Sequence, residues 1–220
     1  MSKVVVDPLK AIMKPLPEVE LSPRDTALLI IDMQYLDAHP EEGLVKLGRE
    51  KGLDMDYYSE RLKLITANIK RLLTACREKG YEVIHTKIEA LTRDGRDRSR
   101  IHKLLLDYGR GTRDTEIIEE LAPLDNEIVL TKTCSGVFNG THIHQVLLNL
   151  GIQTLIVTGV VTNQCVDTAV RDAADRGFNV ILVEDGCAAV TKELHEATIE
   201  ILGGVYARIK STEEVLASLK

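Results

Sequence analysis

Three residues in this 220-residue chain close or follow short apolar runs, and their types complement one another. Asp32 ends the run Ala27-Leu28-Leu29-Ile30-Ile31, and Lys132 ends Ile128-Val129-Leu130-Thr131. Cys165 follows Thr154-Leu155-Ile156-Val157-Thr158-Gly159 through Val160-Val161-Thr162-Asn163-Gln164. A thiol that gives up its proton attacks a carbonyl carbon. A neighbouring carboxylate takes that proton and later returns it to a departing amine, while an ammonium steadies the ionised forms. Taken singly, each has an ordinary reading: Asp at a strand-end turn, Lys in solvent, Cys as a small buried residue. Delivered together to one edge of a sheet, they make acyl transfer at least as good a reading. If Thr162 caps a helix, Cys165 lies in its first turn, where the helix dipole and free N–H groups favour a thiolate and a nearby Lys132 favours it further.

The elements that must deliver these residues alternate along the chain. The runs ending at Asp32 and Lys132, together with 81–86, 154–158, 180–183 and 205–209, read as six strands; the continuous apolar runs suit strands buried on both faces. Leu62, Ile65, Ile69, Leu72, Leu73 and Cys76 recur at helical spacing up to Gly80, and further helices are expected at 114–121, 140–150, 162–177, 192–202 and 213–219. Residues 35–55 and 88–112 read as long polar loops, the second with a helical piece near Ile101–Leu106. Strand–helix alternation predicts an α/β fold: a single-domain, Rossmann-like three-layer sandwich with a six-stranded parallel sheet and helices on both faces. Residues 1–25, with Pro8, Pro15, Pro17 and Pro23, read as an extended arm, and 26–220 as one domain. In such sheets ligands bind beyond the carboxyl ends of the strands, where Asp32, Lys132 and Cys165 are expected.

Composition narrows the function. A net charge of −6, no Trp and interleaved acids in the Arg93–Arg113 segment disfavour nucleic-acid binding. No apolar run approaches the ~20 residues that span a bilayer, and the N-terminus lacks a signal-peptide core, so a cytoplasmic protein is expected. The four cysteines match no zinc spacing and are expected to be reduced. Cys76 reads as core, Cys187, after the fifth strand, as structural, and Cys134 as a packing residue. The Gly-x-Gly-x-x-Gly fingerprint of dinucleotide sites is absent after the first strand.

Three segments carry a resemblance: Leu29-Ile30-Ile31-Asp32-Met33-Gln34, Leu130-Thr131-Lys132-Thr133-Cys134-Ser135-Gly136-Val137-Phe138, and Thr158-Gly159-Val160-Val161-Thr162-Asn163-Gln164-Cys165-Val166. In this order they resemble the isochorismatase-like cysteine hydrolases, which include nicotinamidases, carbamoylsarcosine amidohydrolases and biuret-type ureide hydrolases. The resemblance covers the chain from about residue 24 onward. It implies Asp32 as base and acid, Lys132 as electrostatic partner and Cys165 as nucleophile. It also implies a cis peptide at Val160–Val161, an oxyanion hole from the Val161 and Cys165 N–H groups, and a homo-oligomer.

Departures from the family refine the reading. No Asp-x-His follows His85-Thr86-Lys87, and His142 and His144 fall at a helix start, where residues two apart diverge, so no catalytic metal and no cofactor are expected. Candidate substrate-binding residues are Gln34, Tyr35, Arg96, Arg98 and Asn163. Asp94-Gly95-Arg96-Asp97-Arg98-Ser99 resembles the segment of ureide-hydrolysing members; it is either a solvated charged loop or a site where an arginine fork meets a substrate carbonyl or carboxylate. The expected function is a cysteine-dependent amidohydrolase acting on a small linear amide or ureide. The alternatives are a nicotinamidase-like or vinyl-ether hydrolase on the same scaffold, and a non-catalytic binding protein with this fold.

Overall fold

The computed structural model describes residues 6–105 and 110–220. Strands β1 (Thr26–Ile31), β2 (Glu82–Ile88), β3 (Ile128–Lys132), β4 (Thr154–Val160), β5 (Asn179–Ala188) and β6 (Arg208–Lys210) form one sheet. Its order is β3-β2-β1-β4-β5-β6, and every pairing is parallel. The chain steps outward from β1 to β3, returns to lay β4 on the other side of β1, and then steps outward again. The direction therefore reverses between β1 and β4, which opens a crevice at their carboxyl ends.

The α-helices among the described residues are α1 (Tyr35–Ala38), α2 (Gly43–Glu50), α3 (Asp56–Lys79), α4 (Arg100–Leu105), α5 (Val137–Gly140), α6 (Ile143–Asn149), α7 (Asp167–Asp175), α8 (Lys192–Leu202) and α9 (Thr212–Ser218). All six residues of β1 are buried, and their period of two divides them between two cores. Leu28 and Ile30 join Leu62, Ile65 and Ile69 of α3 and Val215 of α9; Leu29 and Ile31 join Leu147 of α6, Val170 of α7 and Leu202 of α8. A strand packed on both faces favours apolar side chains at nearly every position, which explains the apolar run that follows the buried Thr26.

Several boundaries differ from the sequence reading. The expected 35–55 loop contains α1 and α2; α2 is short and buries only Val45 and Gly48. The expected 140–150 helix is α6, and a separate short α5 precedes it; the two part where the Thr141 hydroxyl donates to Val137 O and accepts from Ile143 N. The 114–121 segment forms two 3-10 turns, Arg113–Thr115 and Glu119–Leu121. β5 runs on to Ala188 through a register shift against β4, which places Cys187 inside the strand rather than after it. β6 starts at Arg208 because Tyr206 and Ala207 fold back to donate to Leu202 O. The arm is not wholly extended: Pro8–Ile12 makes a 3-10 turn capped by Asp7. Of the expected 101–106 helix, Leu106 lies outside the described residues.

Candidate active site

Asp32 is the first residue beyond β1 and takes a left-handed backbone, with φ of 50°. Asp tolerates that region better than most residues because its short side chain bonds locally. The turn is held by Asp32 N–H donating to Thr86 O (3.2 Å) and Gln34 N–H donating to Asp32 O (2.8 Å). One carboxylate oxygen, Oδ1, accepts from Thr86 Oγ at 2.8 Å; the other, Oδ2, lies 2.6 Å from Lys132 Nζ. Lys132, the last residue of β3, is fully buried and reaches past the end of β2. Its ammonium has three donors, and three partners meet it: Asp32, Cys134 O at 3.2 Å and Cys165 Sγ at 3.5 Å.

Across the crevice, β4 approaches β1 at Gly159, whose φ is 112° and where a Cβ would stand 2.0 Å from Ile31 O. Only glycine permits that approach. The Val160–Val161 peptide that follows is cis. Residues Thr162–Val166 then form a π-helical turn that leads into α7, with Val161 rather than Thr162 at the cap. This corrects the expected Thr162 cap: the Thr162 hydroxyl turns away from its own helix and meets His195 Nδ1 at 3.0 Å.

The electrostatics differ from the expectation of a pre-formed thiolate. Burial, followed by the Asp32 carboxylate, pushes the Cys165 thiol well above its ordinary value, and Lys132 offsets this only in part. The Lys132 ammonium is pulled down by burial, but Asp32 and Cys165 outweigh that and hold it firmly protonated. These directions favour a protonated thiol beside a charged ammonium, with the Asp32 side chain already in contact with Lys132.

Two further titratable groups stand near the triad, and no local pattern in the sequence marks either. Asp37 on α1 is pushed up to about 7, first by burial and then by the Asp32 carboxylate, with Lys132 opposing and Asp114 adding. A carboxyl whose folded value is raised stabilises the fold fully below its unfolded value, near 3.8, and loses that contribution as pH rises through about 7. Asp37→Asn should therefore flatten the fall in melting temperature between pH 4 and 8; an unchanged slope in a pH series of thermal melts would refute this. His102 on α4 lies between Ser99 Oγ (2.7 Å from Nδ1) and Ser135 Oγ (3.2 Å from Nε2). Burial, Lys132 and Arg98 all lower its basicity, which keeps it neutral.

The five candidate substrate-binding residues separate. Gln34 is fully buried, and its amide bonds only to backbone: Nε2 to Ile88 O and Thr115 O, Oε1 from Ile88 N. That assigns it to bracing the loops around the crevice rather than to contacting substrate. Tyr35 is buried under Arg113, whose guanidinium sits 3.9 Å from the ring centroid and pairs with Glu42. Arg96 is exposed and pairs with Asp94. Arg98 is drawn inward, to 8% exposure, and acts electrostatically on His102. Asn163, two residues before Cys165, has a buried Oδ1 with no hydrogen-bond partner among the described residues. Cys134 is half-buried with its thiol toward Gly136 O, while Cys76 and Cys187 are buried and pushed up to about 12 by burial. His142 caps α6, and His144 meets the Phe178 ring edge-on. Among the described residues, no group of three or more His, Cys, Asp or Glu is placed to hold a metal ion, and no helix is long and apolar enough to cross a membrane.

The family model described as the isochorismatase domain matches residues 26–214. Ureidoacrylate amidohydrolase RutB of Agrobacterium fabrum is 33% identical over 187 residues, covering 76% of this chain and 77% of that protein. Nicotinamidase 3 of Arabidopsis thaliana is 29% identical over 208 residues, covering 88% of each. The crystal structure of a cysteine hydrolase from Pseudomonas syringae pv. phaseolicola superposes with a TM-score of 0.79 at 26% identity, covering 93% of this chain and 97% of that one.

Proposed function

The chain belongs to the isochorismatase family, and from that premise we propose that it is a cysteine-dependent amidohydrolase cleaving a C–N bond of a small linear amide or ureide. One observation carries the proposal: a single buried ammonium stands 2.6 Å from Asp32 Oδ2 and 3.5 Å from Cys165 Sγ at the reversal point of the sheet. The relatives named as a ureidoacrylate amidohydrolase and a nicotinamidase act in the same sense.

In the proposed reaction Asp32 takes the Cys165 thiol proton as sulfur bonds to the substrate carbonyl carbon. The Val161 and Cys165 N–H groups receive the oxyanion. The C–N bond breaks, and Asp32 delivers the proton to the departing ammonia or amine, leaving a thioester. Water then adds, Asp32 accepts its proton, the C–S bond breaks, and Cys165 recovers its proton from Asp32. Lys132 stays charged throughout. The unpartnered Asn163 Oδ1 suits a substrate N–H, and the inward Arg98 suits a carbonyl or carboxylate at the far end.

Ammonia release from a panel of linear ureides, N-carbamoyl amino acids and carboxamides tests the reading, with acid-quenched intact mass used to find an acyl group on Cys165. No ammonia from any substrate, or an acyl group on another residue, would overturn it. Turnover is expected to survive dialysis against a chelator; loss of activity that is restored by zinc or iron would move the assignment to a metal-dependent nicotinamidase-like enzyme. We further propose a homo-oligomer in the cytoplasm, where the four free cysteines stay reduced. A monomeric mass by light scattering at micromolar concentration would contradict the oligomer.

A further inference from the structure

The nucleophile's turn is held at its first residue by a network from two other elements that runs from a buried hydroxyl to a half-exposed arginine. Thr162 is fully buried, and its Oγ lies 3.0 Å from His195 Nδ1 on α8. The other ring nitrogen, Nε2, lies 3.0 Å from Arg61 Nη2 on α3. Arg61 is itself anchored at the carboxyl end of β5, donating from Nε to Cys187 O at 3.0 Å and from Nη2 to Glu184 O at 2.6 Å.

These contacts assign the proton on the ring. A guanidinium carries donors only, so Nε2 must accept. A neutral imidazole has one donor and one acceptor, so Nδ1 carries the hydrogen and donates to Thr162 Oγ. Protonating the ring would bring two cations within 3.0 Å in a buried place. Burial and Arg61 accordingly lower the His195 value to about 4. Thr162 makes no side-chain cap for its own helix, and Cys165 lies three residues further along the same π-helical turn.

We propose that His195, locked in its Nδ1–H tautomer by Arg61, is the positioning residue that sets the Cys165 turn through the Thr162 hydroxyl. The proposal rests on Cys165 being the nucleophile. It adds that the placement of Sγ, and of the Val161 and Cys165 N–H groups beside it, depends on a hydrogen bond that touches neither substrate nor triad. Misplacing a reacting group by about 1 Å costs on the order of a hundredfold in rate.

Two amide substitutions separate the ring's halves. In His195→Asn the amide nitrogen falls near the position of Nδ1 and can still donate to Thr162. In His195→Gln it falls nearer Nε2 and that bond is lost. We expect kcat per alkylatable Cys165 to fall roughly 30- to 100-fold in His195→Gln, with KM within about twofold, and to recover to within about fivefold of wild type in His195→Asn. Thr162→Val, which removes only the hydroxyl, should match His195→Gln. The double variant should be no worse than either single one, because both remove the same bond.

The pH midpoint of Cys165 alkylation by iodoacetamide reports the same geometry without any substrate. It should shift equally in His195→Gln and Thr162→Val and return in His195→Asn. Equal kcat in the Asn and Gln variants, additive losses in the double variant, or an unshifted alkylation midpoint in Thr162→Val would overturn the proposal. If the wild type hydrolyses no amide while the midpoints move as described, the amidohydrolase reading fails and the positioning role stands.

Discussion

Cys165→Ala is expected to lower amide turnover by about 10⁴-fold or more, since removing a nucleophile that acts as one unit with its base disables the whole unit. The fold should survive. Cys165 is half-buried in a turn whose backbone bonds, Gln164 N–H and Val166 N–H to Val161 O, do not involve its side chain. Thermal melting should therefore shift by no more than a few degrees. Cys165→Ser should fare little better in turnover, because the site supplies one base and a hydroxyl is harder to ionise than a thiol. Cys134→Ala is the control: Lys132 bonds to the Cys134 carbonyl, not to its thiol, so turnover should stay within a few-fold of wild type. Initial rates of ammonia release and intact-mass detection of the acyl-enzyme decide the matter. A Cys165→Ala protein that keeps turning over amides would require water to attack directly. One active only on a vinyl ether would move the chain toward isochorismate-type chemistry, in which no thiol is needed.

What the sequence shows and what it conceals follow from the range of the interactions. β1 and β4 are legible because a strand covered on both faces is dominated by apolar residues with only an occasional buried threonine, such as Thr26 or Thr158, and each run of that kind has a clear end. The triad is legible because Asp32 stands where such a run stops and Cys165 just beyond one, while Lys132 ends the shorter, half-exposed edge strand β3. The residues that support the triad are not legible. Thr86 meets Asp32 across 54 positions, His195 meets Thr162 across 33, and Arg61 meets His195 across 134. Periodicity reports which face a residue occupies, not which side chain it will meet there. Gln34 shows the limit from the other side. It is a candidate substrate-binding residue by sequence, whereas its amide closes three backbone bonds at Ile88 and Thr115. The thiol's environment is likewise a property of the assembled fold: a helix start favours a thiolate, while burial and the nearby Asp32 carboxylate push the thiol up, and no local pattern shows the second pair.

Lys132→Met is expected to cost a hundredfold or more in kcat, comparable to the loss of one preorganised electrostatic stabiliser. Lys132 favours ionisation of the Cys165 thiol and opposes burial and Asp32. Removing its charge should therefore raise the thiol further and move the alkylation profile to higher pH. The substitution also leaves Asp32, 1% exposed, without its cation. Breaking a buried pair from one side typically costs about 3–5 kcal/mol, so a lower melting temperature is expected as well. The folded value of Lys132 is raised, so its contribution to stability is complete below its ordinary value near 10.5 and is lost only as pH rises beyond that. The stability loss in the variant should accordingly be as large at pH 7 as at pH 9. The double variant Lys132→Met with Asp32→Asn removes the stranded carboxylate and should recover most of the melting temperature but none of the turnover. That outcome separates the catalytic loss from simple unfolding. Lys132→Arg keeps a charge but replaces one compact ammonium, whose three donors meet three partners, with a planar fork; it should retain part of the thiol's alkylation rate while losing turnover. A Lys132→Met protein with an unchanged alkylation profile and near-normal kcat would show that Asp32 and Cys165 exchange their proton without help, and that the buried ammonium serves only to hold the ends of β1 and β3 together.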